Sequence, residues 1–212
     1  HAVNGLDLVI DKGESLGLVG ENGAGKSTLA LSILRLLPDM VGEVASGAIE
    51  FEGQSVLELS KRDMKRLRGD KISMIFQDPM TSLNPTTKVG KQISEGILNA
   101  FPQMKRAEAK ERAIQALRDT GIPNPEQRYE QYPHQFSGGM RQRAMIALAL
   151  AVNPKLLICD EPTTALDVTL QAQILELIQE LQKKYKTAII FITHDLGVVA
   201  NIAQNIAVMY AG

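Results

Sequence analysis

GENGAGKS, residues 20–27, lies between a short apolar run and an apolar segment with helical spacing. The run before it is residues 15–19, and the segment after it has leucine or isoleucine at positions 29, 33, 36 and 37. The pattern GxxxxGK[ST] between a strand and a helix is a phosphate-binding loop. It predicts an α/β fold that binds a nucleotide, and a helix over residues 27–37.

Each residue type in this loop has a part in holding phosphates. Glycines let the backbone wrap the phosphates, and the helix N-terminus adds partial positive charge. Lys26 is expected to reach the β- and γ-phosphates, Ser27 to offer its hydroxyl to Mg²⁺, and Thr28 to touch the α-phosphate. The other candidate nucleotide-binding residues of the loop are Gly20, Glu21, Asn22, Gly23, Ala24 and Gly25.

Size, charge and cysteine content narrow the class of protein. The chain has 212 residues, 44% of them hydrophobic, which is enough for one sizeable core and a smaller lobe. With 23 basic and 24 acidic residues, the formal net charge of -1 does not favour nucleic-acid binding. Cys159 is the sole cysteine, so no disulfide framework exists, and its apolar neighbours predict a buried side chain.

Helix-like and strand-like segments alternate along the chain, as in α/β proteins. Further strand-like runs occupy residues 48–52, 72–76, 156–160 and 188–192. Between residues 78 and 154 the character changes, because prolines there separate helical patterns. We therefore predict a core formed by residues 1–77 and 155–212, and an inserted helical lobe formed by residues 78–154.

Acidic and polar side chains follow several of the apolar runs. Asp160 and Glu161 are adjacent carboxylates that repel each other unless a cation lies near. We expect Asp160 to hold Mg²⁺ through water and Glu161 to polarise the attacking water. His194 ends a strand predicted to lie near the phosphate loop, where it could contact a γ-phosphate. For Gln77, an ordinary polar strand end is an equally good interpretation.

FSGGMRQR, residues 136–143, is a second glycine-rich turn that opens an apolar helix. Ser137 is a natural N-cap, and with Gly138 and Gly139 it presents a helix N-terminus to an anion. An ordinary capped helix is the simpler explanation of this motif taken alone. Because the chain has one phosphate loop, however, a second anion-binding surface makes sense if it serves another subunit's nucleotide. That reasoning predicts a dimer with ATP in its interface.

Taken together, these stretches resemble the nucleotide-binding domains of ABC transporters. The matching motifs are Walker A (residues 20–27), the Q-loop (Gln77), the signature (137–140), Walker B (160–161), the D-loop (165–167) and the switch histidine (His194). The resemblance implies a P-loop NTPase with a RecA-like core, a mostly parallel sheet, an antiparallel β edge and an inserted α-helical lobe. It also implies that two such domains close head to tail on two ATP molecules.

The resemblance assigns roles that the residues alone leave open. It implies catalysis by Glu161, His194, Gln77 and Lys26. It implies metal contacts from Ser27, Gln77 and Asp160, and nucleotide contacts from the signature and from Asp167. Phe136 and Met140 depart from the usual Leu and Gln of the signature. Met140 is therefore expected to make no polar contact with nucleotide.

Two longer stretches are similar to the ATPases of oligopeptide, dipeptide and nickel importers. They are FQDPMTSLNP, residues 76–85, and YPHQFSGGMRQR, residues 132–143. In that branch a permease helix docks beside the Q-loop, which corresponds to residues 78–92. The resemblance thus implies a second cassette, identical or related, two membrane permeases and indirectly an extracellular substrate-binding protein. It implies a cytoplasmic location, peripheral on the inner face of the membrane.

Several alternatives remain at the level of sequence. An importer of nickel or another small solute fits the same stretches as a peptide importer. A non-transport ABC ATPase of DNA maintenance would need a long coiled-coil insertion, and residues 28–136 contain no sustained heptad run. A binding module without useful hydrolysis is disfavoured by Glu161 and His194. The chain begins without Met and stops after a strand-like run, so we expect it to be truncated at both ends.

Overall fold

A parallel β-sheet forms the centre of the computed structural model, which describes residues 2–38, 42–77, 82–164 and 166–212. The strands are β1 (Ser15–Val19), β2 (Glu50–Phe51), β3 (Gln54–Ser55), β4 (Ile72–Ile75), β5 (Leu156–Asp160), β6 (Ala188–Thr193) and β7 (Asn205–Val208). Five of them form the sheet in the order β4-β5-β6-β1-β7, and all of their pairings are parallel. Every residue of β1, β5 and β6 is buried, as expected for inner strands covered on both faces.

Helices flank this sheet and also form a separate group beside it. They are α1 (Lys26–Ile33), α2 (Lys61–Asp70), α3 (Val89–Ala100), α4 (Arg106–Asp119), α5 (Pro125–Tyr129), α6 (Gly138–Leu150), α7 (Val168–Tyr185) and α8 (Leu196–Ile202). A short 3₁₀ helix, Pro133–Gln135, precedes α6. Among the described helices, none is both long and apolar enough to cross a lipid bilayer.

The antiparallel edge is present but shorter than the sequence pattern suggests. Strands β2 and β3 pair antiparallel over two residues each, whereas the alternation predicted a strand over residues 48–52. The strand ends early because Glu52 and Gly53 both have positive φ angles, 51° and 76°. Two such residues form the tight turn that joins the strands of a hairpin.

Helix α1 also ends earlier than predicted, at Ile33 rather than near residue 37. Arg35 has a φ of 49°, which is the left-handed conformation that closes many helices. The N–H of Arg35 donates to the carbonyl of Ser32 at 3.0 Å, and that of Leu36 donates to the carbonyl of Leu31 at 2.8 Å. These two bonds are those of a Schellman motif, formed here without the usual glycine.

Three apolar clusters hold the layers together. Successive residues of β5 point to opposite faces, so that Leu156 and Ile158 join one cluster while Leu157 and Cys159 join another. The burial predicted for Cys159 is thereby confirmed. The third cluster lies among α3, α4, α5 and α6. Helix α6 belongs to two clusters, with Met145 facing the sheet and Ala144 facing the other helices. The lobe limits at residues 78 and 154 stay a prediction.

A polar contact joins the helical group to the core. Asp119, the last residue of α4, accepts a hydrogen bond from the hydroxyl of Tyr185. It also forms an ion pair with Nζ of Lys184 at 2.7 Å. Both donors lie at the end of α7. Gln115 also donates to Asp119, at 2.7 Å. Helix α4 is therefore joined to α7 by a carboxylate with two donors on α7, while the third donor, Gln115, lies on α4 itself.

Candidate functional site

The predicted site residues converge because the inner strands end at one edge of the sheet. Val19 of β1 is in register with Thr193 of β6, and Asp160 of β5 with Ile192. The segments that follow these strands therefore emerge side by side. In open α/β sheets, ligands bind in the crevice beyond the carboxyl ends of the strands.

The phosphate loop after β1 needs glycine at specific positions. Gly23 and Gly25 have φ angles of 87° and 96°, a region that other residues rarely adopt. A Cβ on Gly25 would lie 2.2 Å from the carbonyl oxygen of Ala2, and no heavy atom approaches that closely without a clash. Gly25 is also the N-cap of α1, and no side chain among the described residues caps this helix. The loop thus presents the start of α1 without a competing side chain.

Lys26 is held inside the loop. Its Nζ donates to the carbonyl oxygens of Gly20 at 2.8 Å and Glu21 at 3.0 Å, and the residue is only 5% exposed. Both acceptors of these bonds are neutral carbonyl oxygens, so neither bond pairs the ammonium with an anion. The loop can therefore offer this charge to an anion that enters it.

Ser27 and Asp160 meet although 133 positions separate them in the sequence. The hydroxyl of Ser27 donates to Oδ1 of Asp160 at 3.0 Å. Burial and the charge of Glu161 raise the pKa of Asp160, while the bond from Ser27 and the charge of Lys26 oppose that rise. A cation beside Asp160 would favour its charged form. The described residues contain no group of three or more His, Cys, Asp or Glu side chains that could hold a metal. A metal beside Ser27 and Asp160 would also take oxygen ligands from water or from a phosphate.

Glu161 is surrounded by three donors. Gln77 Nε2 lies 3.2 Å and the hydroxyl of Thr164 lies 2.9 Å from its Oε2, and Nδ1 of His194 lies 3.2 Å from its Oε1. Glu161 itself has a φ of 47°, which is uncommon for a residue other than glycine. Such backbone conformations often occur at functional sites. The edge of the sheet thus brings together Lys26, Ser27, Gln77, Asp160, Glu161 and His194.

The signature residues take no part in the hydrogen bonds of this cluster as far as the described residues show. Ser137 caps α6 as predicted, its Oγ accepting from the N–H of Met140 at 3.3 Å. A Cβ on Gly139 would lie 3.0 Å from the side chain of Leu170, so packing against α7 limits the size of the residue at position 139. A Cβ on Gly138 would meet nothing within 4 Å. No contact in the described chain therefore explains the glycine at position 138.

Asp167 acts locally as a helix cap. Its carboxylate accepts from the N–H of Leu170 at 2.9 Å and begins α7. Its assignment to the nucleotide site stays a prediction. Residues 78–81 of the predicted docking surface and Ala165 of the predicted D-loop lie outside the described residues.

Two residues of this region were not singled out from the sequence. Thr164 contacts Glu161, and Gln142 is 1% exposed with its amide donating to the carbonyl of Pro162. Gln142 lies at helical spacing before Met145 and Ile146, so a polar residue on the buried face was a usable signal. The signal for Thr164 was weaker, because a hydroxyl three residues after a carboxylate is common.

Comparisons with known proteins agree with these observations. The ABC transporter family matches residues 3–164. Over its whole length the chain is 59% identical to the oligopeptide transport ATP-binding protein OppD of Bacillus subtilis, and 54% identical to the dipeptide transport ATP-binding protein DppD of the same species. It covers 59% and 63% of those proteins. The chain thus spans about three fifths of the length of the curated relatives it matches.

Solved structures give the same result for the fold. A dimeric post-hydrolysis state of the ATP-binding cassette MJ0796, bound to ADP and Pi, matches with a TM-score of 0.85 and 27% identity, covering all of this chain and 87% of that one. The cbiO1 protein of Clostridium perfringens, part of the ABC transporter complex cbiONQ, matches with a TM-score of 0.86 and 34% identity, covering all of this chain and 79% of that one. The predicted P-loop NTPase fold and the family resemblance are confirmed, and the chain belongs to the ABC transporter family.

Proposed function

We propose that this chain is the ATP-hydrolysing part of an ABC importer and that its cargo is peptides. The observation that carries the ATPase proposal is the convergence of Lys26, the Ser27–Asp160 pair and Glu161 at one edge of the sheet. These are the groups that phosphoryl transfer to water requires: a cation for the phosphates, hard oxygen ligands for a metal, and a carboxylate for water.

Mg²⁺ suits the residues at this edge. The Ser27 hydroxyl and the Asp160 carboxylate are hard oxygen donors in contact with each other, and we propose both as metal-holding residues with Gln77. When bound with ATP, the metal would neutralise phosphate charge. Lys26 would exchange its two loop carbonyls for phosphate oxygens, and the remaining loop residues and Thr28 would surround the phosphate chain.

Glu161 has the position of a general base. Its side chain is 12% exposed, so water has limited access to the carboxylate. We propose that Gln77 and His194 turn from Glu161 toward the nucleotide when it binds, since the side chains of both are exposed to solvent. The carboxylate would then accept the proton of the attacking water.

The second half of the site would come from another cassette. Ser137, Gly138 and Gly139 form an exposed or partly exposed helix start, and Gly138 leaves open space where another backbone or ligand can approach closely. We propose that this surface, together with Asp167, completes the nucleotide site of a partner cassette. The dimeric form reported for MJ0796 supports this proposal.

The names of similar proteins support peptide transport. Both Bacillus subtilis relatives are described as peptide transport ATP-binding proteins. We propose that the core of residues 1–77 and 155–212 binds ATP while the lobe of residues 78–154 faces two permeases, which dock near residues 78–92. The cassette would then lie on the inner face of the membrane, and an extracellular substrate-binding protein would deliver the cargo.

Reconstitution of the full-length protein with its permeases and binding protein tests this function. We expect ATP hydrolysis that depends on Mg²⁺ and drives uptake of a labelled oligopeptide, and Lys26→Ala should abolish both. Uptake of Ni²⁺ instead of peptide would contradict the peptide proposal and favour the alternative, an importer of nickel. Absence of ATP hydrolysis by the wild-type assembly would contradict the ATPase proposal.

A further inference from the structure

Thr164 closes the turn that carries Glu161. The N–H of Glu161 donates to the carbonyl of Ile192 at 3.0 Å, which fixes the start of this turn to β6. The N–H of Thr164 returns to the carbonyl of Glu161 at 3.3 Å, and its hydroxyl reaches Oε2 of the same residue at 2.9 Å. Backbone and side chain of Thr164 therefore both bind the residue whose carboxylate is the proposed general base.

The three donors around Glu161 differ in where they come from. Gln77 follows β4 and His194 follows β6, so each contact depends on how two separate segments lie. Thr164 lies three positions after Glu161 in the same turn, so its contact with Glu161 does not depend on how the other strands lie. Its bond of 2.9 Å is also shorter than the two contacts of 3.2 Å made by Gln77 and His194.

We propose that Thr164 is a positioning residue, whose hydroxyl holds Oε2 of Glu161 in place when Gln77 and His194 turn to the nucleotide. The inference rests on the proposed ATPase function and adds a residue to it. A carboxylate has lone pairs for about four hydrogen bonds, so a bond from Thr164 leaves room to accept a proton from water. Without the hydroxyl, the Glu161 side chain gains rotamers that point away from the water.

The test compares two substitutions of Thr164 in the full-length protein assembled with its permeases. Thr164→Val keeps the shape but removes the donor, and Thr164→Ser keeps the donor. We expect Thr164→Val to lower kcat about 3–10-fold, the effect of one net hydrogen bond, with the KM for ATP within about twofold of wild type. Thr164→Ser should restore kcat to within about twofold of the wild-type value.

Thr187→Val is the matched control. The buried hydroxyl of Thr187 donates to the carbonyl of Pro154 at 2.8 Å, at the opposite end of β6 from His194. This variant should lower Tm yet leave kcat unchanged. If Thr164→Val lowers Tm in the same way without a fall in kcat, the hydroxyl is merely structural and the proposal is overturned.

Two further readouts separate positioning from other roles. In a Glu161→Gln background, Thr164→Val should have less than half of its effect on the residual single-turnover rate, whereas the full effect there would overturn the proposal. In nucleotide-bound crystals of Thr164→Val, where Gln77 and His194 have turned to the nucleotide, Glu161 should take more than one orientation, and a single unchanged orientation would also overturn the proposal. If the wild type itself hydrolyses no ATP, the proposed function fails first; a failure confined to the Thr164 variants leaves that function intact.

Discussion

Two helices of this chain begin at glycine-rich turns. The described residues explain why glycine is needed in one of these turns but not in the other. At the start of α1, Gly25 has a positive φ, and an added Cβ would clash with a backbone carbonyl. At the start of α6, an added Cβ on Gly138 would meet no heavy atom of the described residues within 4 Å. The first glycine is required by the fold of this chain. The second meets no such requirement from the described residues, which agrees with the proposal that a partner cassette approaches it.

Helix α6 is nevertheless in contact with the turn that carries Glu161. Gln142, one turn into α6, donates to the carbonyl of Pro162, the residue after Glu161. Asp119 ties α4 to α7 with bonds from Lys184 and Tyr185. A displacement of the exposed helix start would therefore shift the turn that carries the proposed general base.

The largest expected effect concerns Glu161, in the turn after β5 beside the phosphate loop. Glu161→Gln removes the proposed general base but keeps the size of the side chain, so turnover should fall by about 10²–10⁴-fold while ATP still binds. Steady-state phosphate release and ATP binding measure the two effects separately. As a control, Glu126→Gln on the lobe surface should leave turnover within about twofold. A Glu161→Gln variant with wild-type turnover would refute the assignment.

The second prediction tests the two glycines directly by their effect on stability. Gly25→Ala forces a left-handed conformation and a clash on alanine, so the free energy of unfolding should fall by about 1–3 kcal/mol. Gly138→Ala should leave the free energy of unfolding unchanged or raise it by up to about 1 kcal/mol, because alanine favours the helix. Chemical denaturation measures both. Equal destabilisation by the two substitutions would remove the contrast between the regions.

The smallest expected effect concerns the contact that holds the lobe to the core. Burial raises the pKa of Asp119, but the hydrogen bonds from Lys184, Tyr185 and Gln115 outweigh burial and lower that pKa below its usual value. A depressed pKa in the folded state stabilises the protein above the unfolded pKa of about 3.9. This stabilisation is lost as the pH falls through the folded pKa.

Asp119→Asn should therefore lower the free energy of unfolding at pH 7 by about 0.5–1.5 kcal/mol, since the hydrogen-bonded charge is lost. The difference between wild type and variant should shrink as the pH falls below about 4. Unfolding by urea at several pH values tests this, with Asp11→Asn at an exposed position as a comparison. A difference that stays constant down to pH 2 would show that the charge of Asp119 is unimportant.

Features that depend on neighbouring residues were predictable from the sequence. The strand over residues 15–19, the phosphate loop and the cap at Ser137 each follow from a short pattern, and the structure has all three. The early end of α1 was not predictable, because the left-handed Arg35 replaces the glycine that usually marks such an end.

Contacts between distant segments were predictable only through the order of the strands. The sequence placed Asp160 and His194 at strand ends and Ser27 in the loop that follows β1, and the parallel register brings these segments together. The bonds of Asp119 to Lys184 and Tyr185 join two helices at positions with no sequence pattern in common. The bond of Thr164 to Glu161 lies in a turn in which Glu161 has a positive φ, and no residue type in that turn predicts such a φ.

The most direct test of the contrast between the regions is the ATP affinity of the monomer, measured with Lys26→Ala and Gly138→Asp. We expect Lys26→Ala to lower this affinity by about 10²-fold or more. Gly138→Asp should leave the affinity within about twofold, since we propose that the helix start of α6 serves a partner's nucleotide, yet it should abolish the ATP-dependent dimer measured by light scattering. Equal loss of monomer affinity in both variants would contradict the account.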